Sequence, residues 1–238
     1  MIEREQVLGA LSGVRDPELD EPVTELGFVS ELEVEGDAVN VRLRLPTYFC
    51  APNFAYLMVA DAKEAVLSIP GIRRASVLLD DHHASDEING GVNDERGFDG
   101  AFPGETEGPD LEGLRAIFRR KSFVASQEKL CRELLSDGHT PAELAGMKLG
   151  EVSRLEALEK YLERRRELGL DVSSGAPLVV DPDGRKVPEE AVIEHLRFAR
   201  TVRVSIEGNA GLCRGLLSTR YDGVPGVAQD GREKEAAV

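Results

Sequence analysis

The chain has 238 residues, 41% of them hydrophobic, and a formal net charge of −15. That length admits one large domain or two smaller ones around a real core, while the charge opposes association with nucleic acid, whose phosphates need clustered Lys and Arg. No apolar run approaches the roughly 18 residues of a membrane span, and Met-Ile-Glu-Arg-Glu-Gln lacks the charged-then-apolar form of a signal peptide. The expectation is a cytoplasmic protein with no nucleic-acid or membrane partner. Its three cysteines, Cys50, Cys131 and Cys213, are an odd number without close pairing, which predicts reduced thiols rather than a disulfide framework.

Val7, Leu8, Leu11 and Val14 share one helical face, and Gly13 with Asp16-Pro17 stops that helix. A hairpin follows. Phe28, Ser30, Leu32 and Val34 alternate with Val29, Glu31, Glu33 and Glu35, and beyond Gly36-Asp37 the alternation resumes with Val39, Val41, Leu43 and Leu45. A two-residue turn at Gly36-Asp37 sets Val34 opposite Val39, Leu32 opposite Val41, and Glu31 opposite Arg42 on the wet side. Phe54, Leu57, Met58, Ala62, Ala65 and Ile69 mark a second helix, closed by Pro70-Gly71 before a short strand over Ile72 to Leu79. Residues 1–80 are therefore predicted as an α-β-β-α-β domain.

Cys50 lies in Pro46-Thr-Tyr-Phe-Cys-Ala-Pro52, where the second strand hands over to the second helix. A thiol there is near unpaired N–H groups and the positive end of the helix dipole, which favours the thiolate that binds metal. The competing expectation is a buried small hydrophobe. Asp16 precedes a proline and has an extended or turn conformation, its carboxylate free to cap a neighbour or close a turn. Thr47 is expected to cap the second helix.

Asp16-Pro-Glu-Leu, Pro22-Val-Thr-Glu-Leu-Gly-Phe-Val29, a hairpin, Thr47-Tyr-Phe-Cys50-Ala-Pro and a helix closed by Ile69-Pro-Gly-Ile72, in that order, resemble the metal–sulfur cluster assembly factor family of SufT-like and PaaD-like domains. The resemblance covers about the first third of the chain. It implies a small α+β domain with Asp16, Glu18, Thr47 and Cys50 as its site, acting in maturation of iron–sulfur or other metalloproteins. The implied partners are a client metalloprotein or the cluster-assembly machinery. One thiol cannot hold a cluster that needs four protein ligands. A bound iron–sulfur cluster or iron would be shared across a homodimer, completed by His or carboxylate, or held transiently, and zinc is also compatible.

Residues 81–110 are rich in Asp, Glu, Gly, Asn and His and read as a linker or functional loop. Within Asp80-Asp-His82-His83-Ala-Ser-Asp-Glu87, imidazole and carboxylate are ligands of zinc and non-haem iron. A continuing strand would point His82 and His83 to opposite sides, so a solvated acidic loop is the favoured reading. His82 and Glu87 are the candidate metal ligands beside Cys50.

Residues 111–223 read as a mostly helical α+β extension for partner binding. Helices are expected over Leu111 to Leu135, after Thr140-Pro-Ala-Glu143 with its capping-box form, over Val152 to Leu168, and from Pro188-Glu-Glu. Leu178-Val-Val180, the turn Asp181-Pro-Asp-Gly184, and a strand over Val202 to Ile206 complete it. Cys131 and His195 are expected to be packing residues. Gly208-Asn-Ala-Gly211-Leu-Cys213-Arg214-Gly215 reads as a glycine-rich turn, lacking the spacing of a phosphate or dinucleotide loop. Residues 224–238 are predicted to be a frayed tail.

The whole is an α+β protein, not an enzyme, with a metallocentre-maturation role. The alternatives are a metal-dependent enzyme built on His82 and His83 with nearby carboxylates, and a thiol redox protein using Cys50 with Cys213.

Overall fold

The computed structural model describes residues 2–104, 111–153 and 156–221. The chain forms two compact units: one takes in the sequence up to Gly113 and again from Asn209, the other runs from Leu114 to Gly208.

In the first unit α1 (Arg4–Leu11) buries Val7 and Leu11. Two-residue strands β1 (Arg15–Asp16) and β2 (Glu21–Pro22) then pair antiparallel, with Asp16 opposite Glu21. The main sheet has the order β3-β4-β5, with β3 (Val29–Glu35) and β4 (Ala38–Arg44) antiparallel and β5 (Arg74–Asp80) parallel to β4. The register is the predicted one: Val34 faces Val39, Leu32 faces Val41 and Glu31 faces Arg42. Gly36, at φ +64°, supplies the left-handed conformation that the tight turn demands. A bulge between Val29 and Glu31 breaks the simple alternation and buries Val29, which the unbroken pattern assigns to the wet face. Helix α2 (Pro52–Leu67) makes the crossover to β5 and buries Ala55, Leu57, Met58, Val59, Ala62 and Val66.

The segment predicted as a linker is ordered over its described part, as α3 (Ser85–Asn93) and α4 (Gly97–Ala101). Two asparagines four apart lie on one face of α3 and satisfy the free edge of β5. Asn89 accepts from the Leu79 N–H at 2.7 Å and donates to the Leu79 carbonyl at 3.1 Å, and Asn93 treats Val77 the same way at 3.3 and 2.8 Å. Side-chain amides thus replace a neighbouring strand and close an otherwise exposed edge. Phe98 packs edge-on against Tyr56, with ring centroids 5.2 Å apart. Residues 105–110 lie outside the described residues.

The second unit is helical: α5 (Glu112–Ser136), α6 (Pro141–Gly146), a 3-10 turn at Leu149–Glu151, α7 (Glu156–Glu167) and the first part of α8 (Glu189–Arg220). Helix α6 opens with the predicted capping box, Thr140 and Glu143 exchanging hydrogen bonds. Among the described residues of this unit, strand-like pairing is confined to two isolated bridges, Lys148 with Pro177 and Val180 with Lys186, the latter flanking the predicted turn at Asp181–Gly184. The core gathers Phe123, Leu130, Cys131, Tyr161, Leu178 and Val192.

The predicted strand at Val202–Ile206 and the glycine-rich turn after it are both continuous α8 helix. The alternating Val202, Val204 and Ile206 mimic a strand. What decides is Arg203, which is buried and pairs with Glu128 on α5 and with Glu207 one turn on, a spacing only a helix provides. The predicted frayed tail, residues 224–238, lies outside the described residues.

Candidate functional site

Three segments of the first unit converge near Cys50. The first is the tight connection between β1 and β2. Asp16 is 6% exposed, and its Oδ1 accepts the N–H groups of Glu18 at 2.8 Å and Leu19 at 3.0 Å. The carboxylate therefore builds its own turn, as an aspartate after a helix stop commonly does. Burial nevertheless pushes its pKa up to about 6, outweighing the two N–H donors, and Glu18 adds to the rise.

The second segment joins β4 to α2. Cys50 is half-buried and immediately precedes Ala51, the N-cap, with Pro52 in the first turn. The expected cap by Thr47 is not made: the cap position carries a methyl group and Thr47 sits half-buried four residues upstream. Two histidines hold this loop in place. His82 Nδ1 accepts the Ala84 N–H at 3.2 Å, so its proton is on Nε2, which donates to the Cys50 carbonyl at 2.7 Å. The His83 N–H and ring Nδ1 each lie 3.0 Å from the Tyr48 carbonyl.

Because β5 ends at Asp80, the two imidazoles do not diverge as a continuing strand would force. Their centroids are 4.5 Å apart. His82 is buried, and burial lowers its pKa and keeps it neutral. Both of its ring nitrogens are occupied by backbone groups, so it acts here as a clasp. Glu87 is exposed on α3. Among the described residues no group of three or more His, Cys, Asp or Glu side chains is gathered as a metal cage; the predicted trio of Cys50, His82 and Glu87 is not assembled.

The third segment is the end of α8, which the glycine-rich sequence disguises as a turn. Asn209 Nδ2 donates to Glu18 Oε1 at 3.3 Å, and Arg214 forms an ion pair with Glu21. Arg220 donates to the Leu45 carbonyl at 3.1 Å and the Asp81 carbonyl at 2.6 Å, while the Tyr221 hydroxyl meets Asp81 at 3.2 Å. Four residues of this stretch, Asn209, Arg214, Arg220 and Tyr221, tie the helix down despite its glycines.

The electrostatics contradict the expected thiolate. The Cys50 pKa is pushed up to about 12, chiefly by burial, then by the charges of Asp16, Cys213 and Glu18; the Ala51 N–H at the helix start opposes them and loses. Burial and the same two carboxylates also raise Cys213. Beside the thiol, Tyr48 and Phe49 are 48% and 77% exposed, and their rings lie 6.1 and 5.6 Å from the His83 ring. The site is a protonated thiol in an acidic surround with an apolar rim. It is suited to a cation, whose charge reverses the effect of the carboxylates.

Residues 4–79 match the family model described as iron-sulfur cluster assembly protein. The uncharacterized protein MJ1129 of Methanocaldococcus jannaschii is 35% identical over 91 residues, covering 37% of this chain and 93% of that protein. Iron-sulfur cluster carrier proteins of Deinococcus radiodurans and of Synechocystis sp. are 35% and 31% identical over 71 and 79 residues, or 30% and 33% of this chain. The chain spans only 20% and 22% of those two carriers. No solved structure matches the chain. No helix among the described residues is long and apolar enough to cross a membrane.

Proposed function

Because this chain belongs, through residues 4–79, to the iron–sulfur cluster assembly protein family, we propose that it is a non-enzymatic accessory factor that takes up an iron–sulfur cluster, or iron for one, at Cys50 and passes it to a client metalloprotein. The observation that carries this reading is the convergence of a half-buried thiol with Asp16 and Glu18 at an open helix start. Thiolate is the preferred donor for iron–sulfur clusters, and a neighbouring carboxylate favours cation over anion.

The donor set fits such a cargo only in part, and for a carrier that is an advantage. Clusters of the common types take four protein ligands, whereas Cys131 is fully buried in the core of the other unit. Ligands beyond those of this site come from the client, the assembly machinery or a second copy of the chain. Incomplete coordination lets the cargo exchange. In this reading Cys50 binds, Asp16 and Glu18 supply negative charge, and His82 with His83 keeps the loop in place. Exposed Phe49 and Tyr48 give a partner an apolar contact next to the thiol.

The test is maturation in cells. Cys50→Ser should lower the activity of an iron–sulfur enzyme that depends on this protein, without lowering the amount of that enzyme's polypeptide. Glu87→Ala, on an exposed helix surface, should leave it intact. Normal client activity with Cys50→Ser would contradict the proposal.

A further inference from the structure

We propose that Cys213, near the end of α8, is the second thiol of the Cys50 site, so that a thiophilic metal ion or cluster is held by Cys50 and Cys213 together. The inference rests on the reading that Cys50 receives the cargo, and it adds a ligand from beyond residues 4–79, the stretch shared with the family.

Helical geometry carries the argument. Asn209, Cys213 and Leu217 follow one another at intervals of four, and Arg220 is three further on, so the four share one face of the helix. Asn209 binds Glu18, in the turn that Asp16 builds. Leu217 is 9% exposed and reaches the loop before β3, its Cδ2 lying 3.4 Å from where a Cβ on Gly27 would stand. Arg220 binds the Leu45 carbonyl, at the entrance to the Cys50 loop. Cys213 therefore lies on the face bracketed by the two segments that contribute Asp16, Glu18 and Cys50. It is half-buried, and it is close enough to Cys50 for the two thiols to influence each other's charge.

Cys213 lies near the carboxylates of Asp16 and Glu18, whose negative charge complements a bound cation. On binding, each S–H bond is exchanged for a sulfur–metal bond, and two protons leave per ion. Since the described residues gather no third ligand, the protein contributes two thiolates and leaves the other positions of a tetrahedral ion open. That is the coordination an exchanging cargo requires.

The proposal is tested by titrating reduced, full-length protein with Co²⁺ under anaerobic conditions and following thiolate-to-cobalt charge-transfer absorption, whose intensity reports the number of bound thiolates. Wild type should show the intensity of two thiolates. Cys213→Ser and Cys50→Ser should each show about half of it or less, with Kd weakened roughly tenfold or more, and the double variant none. Co²⁺ should also slow alkylation of both Cys50 and Cys213 in the unaltered protein, a readout that needs no substitution to fold. A one-thiolate band lost in Cys50→Ser, intact in Cys213→Ser and accompanied by protection of Cys50 alone would overturn this inference while leaving the Cys50 reading in place. No band in wild type would overturn both.

Discussion

Cys131 and Cys50 are both pushed up to about 12, yet they sit in regions of opposite character. Around Cys131 the second unit ties Gln127, Tyr161 and His195 into one hydrogen-bond network. Gln127 donates to the Tyr161 hydroxyl at 2.8 Å and the Val180 carbonyl at 2.9 Å, and its Oε1 meets His195 Nε2 at 2.7 Å. The Tyr161 hydroxyl donates in turn to the Leu178 carbonyl at 2.8 Å. These buried groups answer one another and lock three helices to the extended segment, which is what a structural polar network does. Around Cys50 the polar groups oppose one another, because carboxylates and thiols cannot all ionise together. Paired polar groups bind the second unit together, whereas those around Cys50 stay in electrostatic conflict.

The largest effect should come from breaking that network. Tyr161→Ala removes a fully buried ring, one of the hydrogen bonds of Gln127 and the donor to the Leu178 carbonyl, at a cost of about 3–5 kcal/mol. Hydrogen exchange of peptides spanning α5, α7 and residues 176–192 should accelerate accordingly. Unchanged protection there would mean that the network is not what holds the unit.

The conflict at the other site predicts an unusual pH response. The Asp16 pKa is raised to about 6 in the folded chain, above the ordinary 3.8. Its stabilising contribution is complete below the unfolded value and is lost as pH rises through 6. The shift corresponds to about 3 kcal/mol at most. His82, held neutral, acts in the reverse sense and costs stability as pH falls below its ordinary 6.5. The comparison of wild type with Asp16→Asn isolates the Asp16 part: hydrogen exchange of the β3–β4 hairpin should show wild type losing stability relative to the variant between pH 4 and 7. A difference that does not change with pH would contradict the buried-carboxylate account.

Two glycines sharpen the contrast at the helix that approaches Cys50. Gly27→Ala should destabilise by roughly 1 kcal/mol, because φ is +75°, a left-handed conformation that an L side chain disfavours. Gly211→Ala, in helix with nothing near its Cβ position, should stabilise by up to about 1 kcal/mol. Thermal unfolding of the two variants should move in opposite directions; movement in the same direction would argue that Gly211 is not within a helix.

These residues also show what the sequence reveals unaided. The hairpin register was legible because burial on one sheet face enforces alternation, and a slip of one residue would turn Val34 and Val39 to solvent. The bulge at Val29 was not, since it depends on how β3 meets β4 across the sheet. Helix α3 was hidden by composition: Asn89 and Asn93 look like loop residues, and their helical role exists only because β5 presents a bare edge. At the site, the turn at Asp16 and the position of Cys50 before α2 were readable from local order. The protonated state of Cys50 was not, because its largest cause is burial, which the fold determines and an argument from the helix start does not see. The β-branched alternation at Val202 to Ile206 misdirected for the same reason, being overruled by the pairing of Arg203 with Glu128.

The central claim is that the site's own carboxylates, as well as burial, keep Cys50 a thiol until a cation neutralises them. The most direct measurement is the rate of Cys50 alkylation against pH in reduced protein, read by mass spectrometry, for wild type and for Asp16→Asn combined with Glu18→Gln. Wild-type Cys50 should react slowly at neutral pH, and in the double variant its profile should shift to lower pH while that of Cys131, which feels neither residue, stays where it was. A wild-type Cys50 already ionised at neutral pH, or a profile that ignores the loss of both carboxylates, would contradict the account.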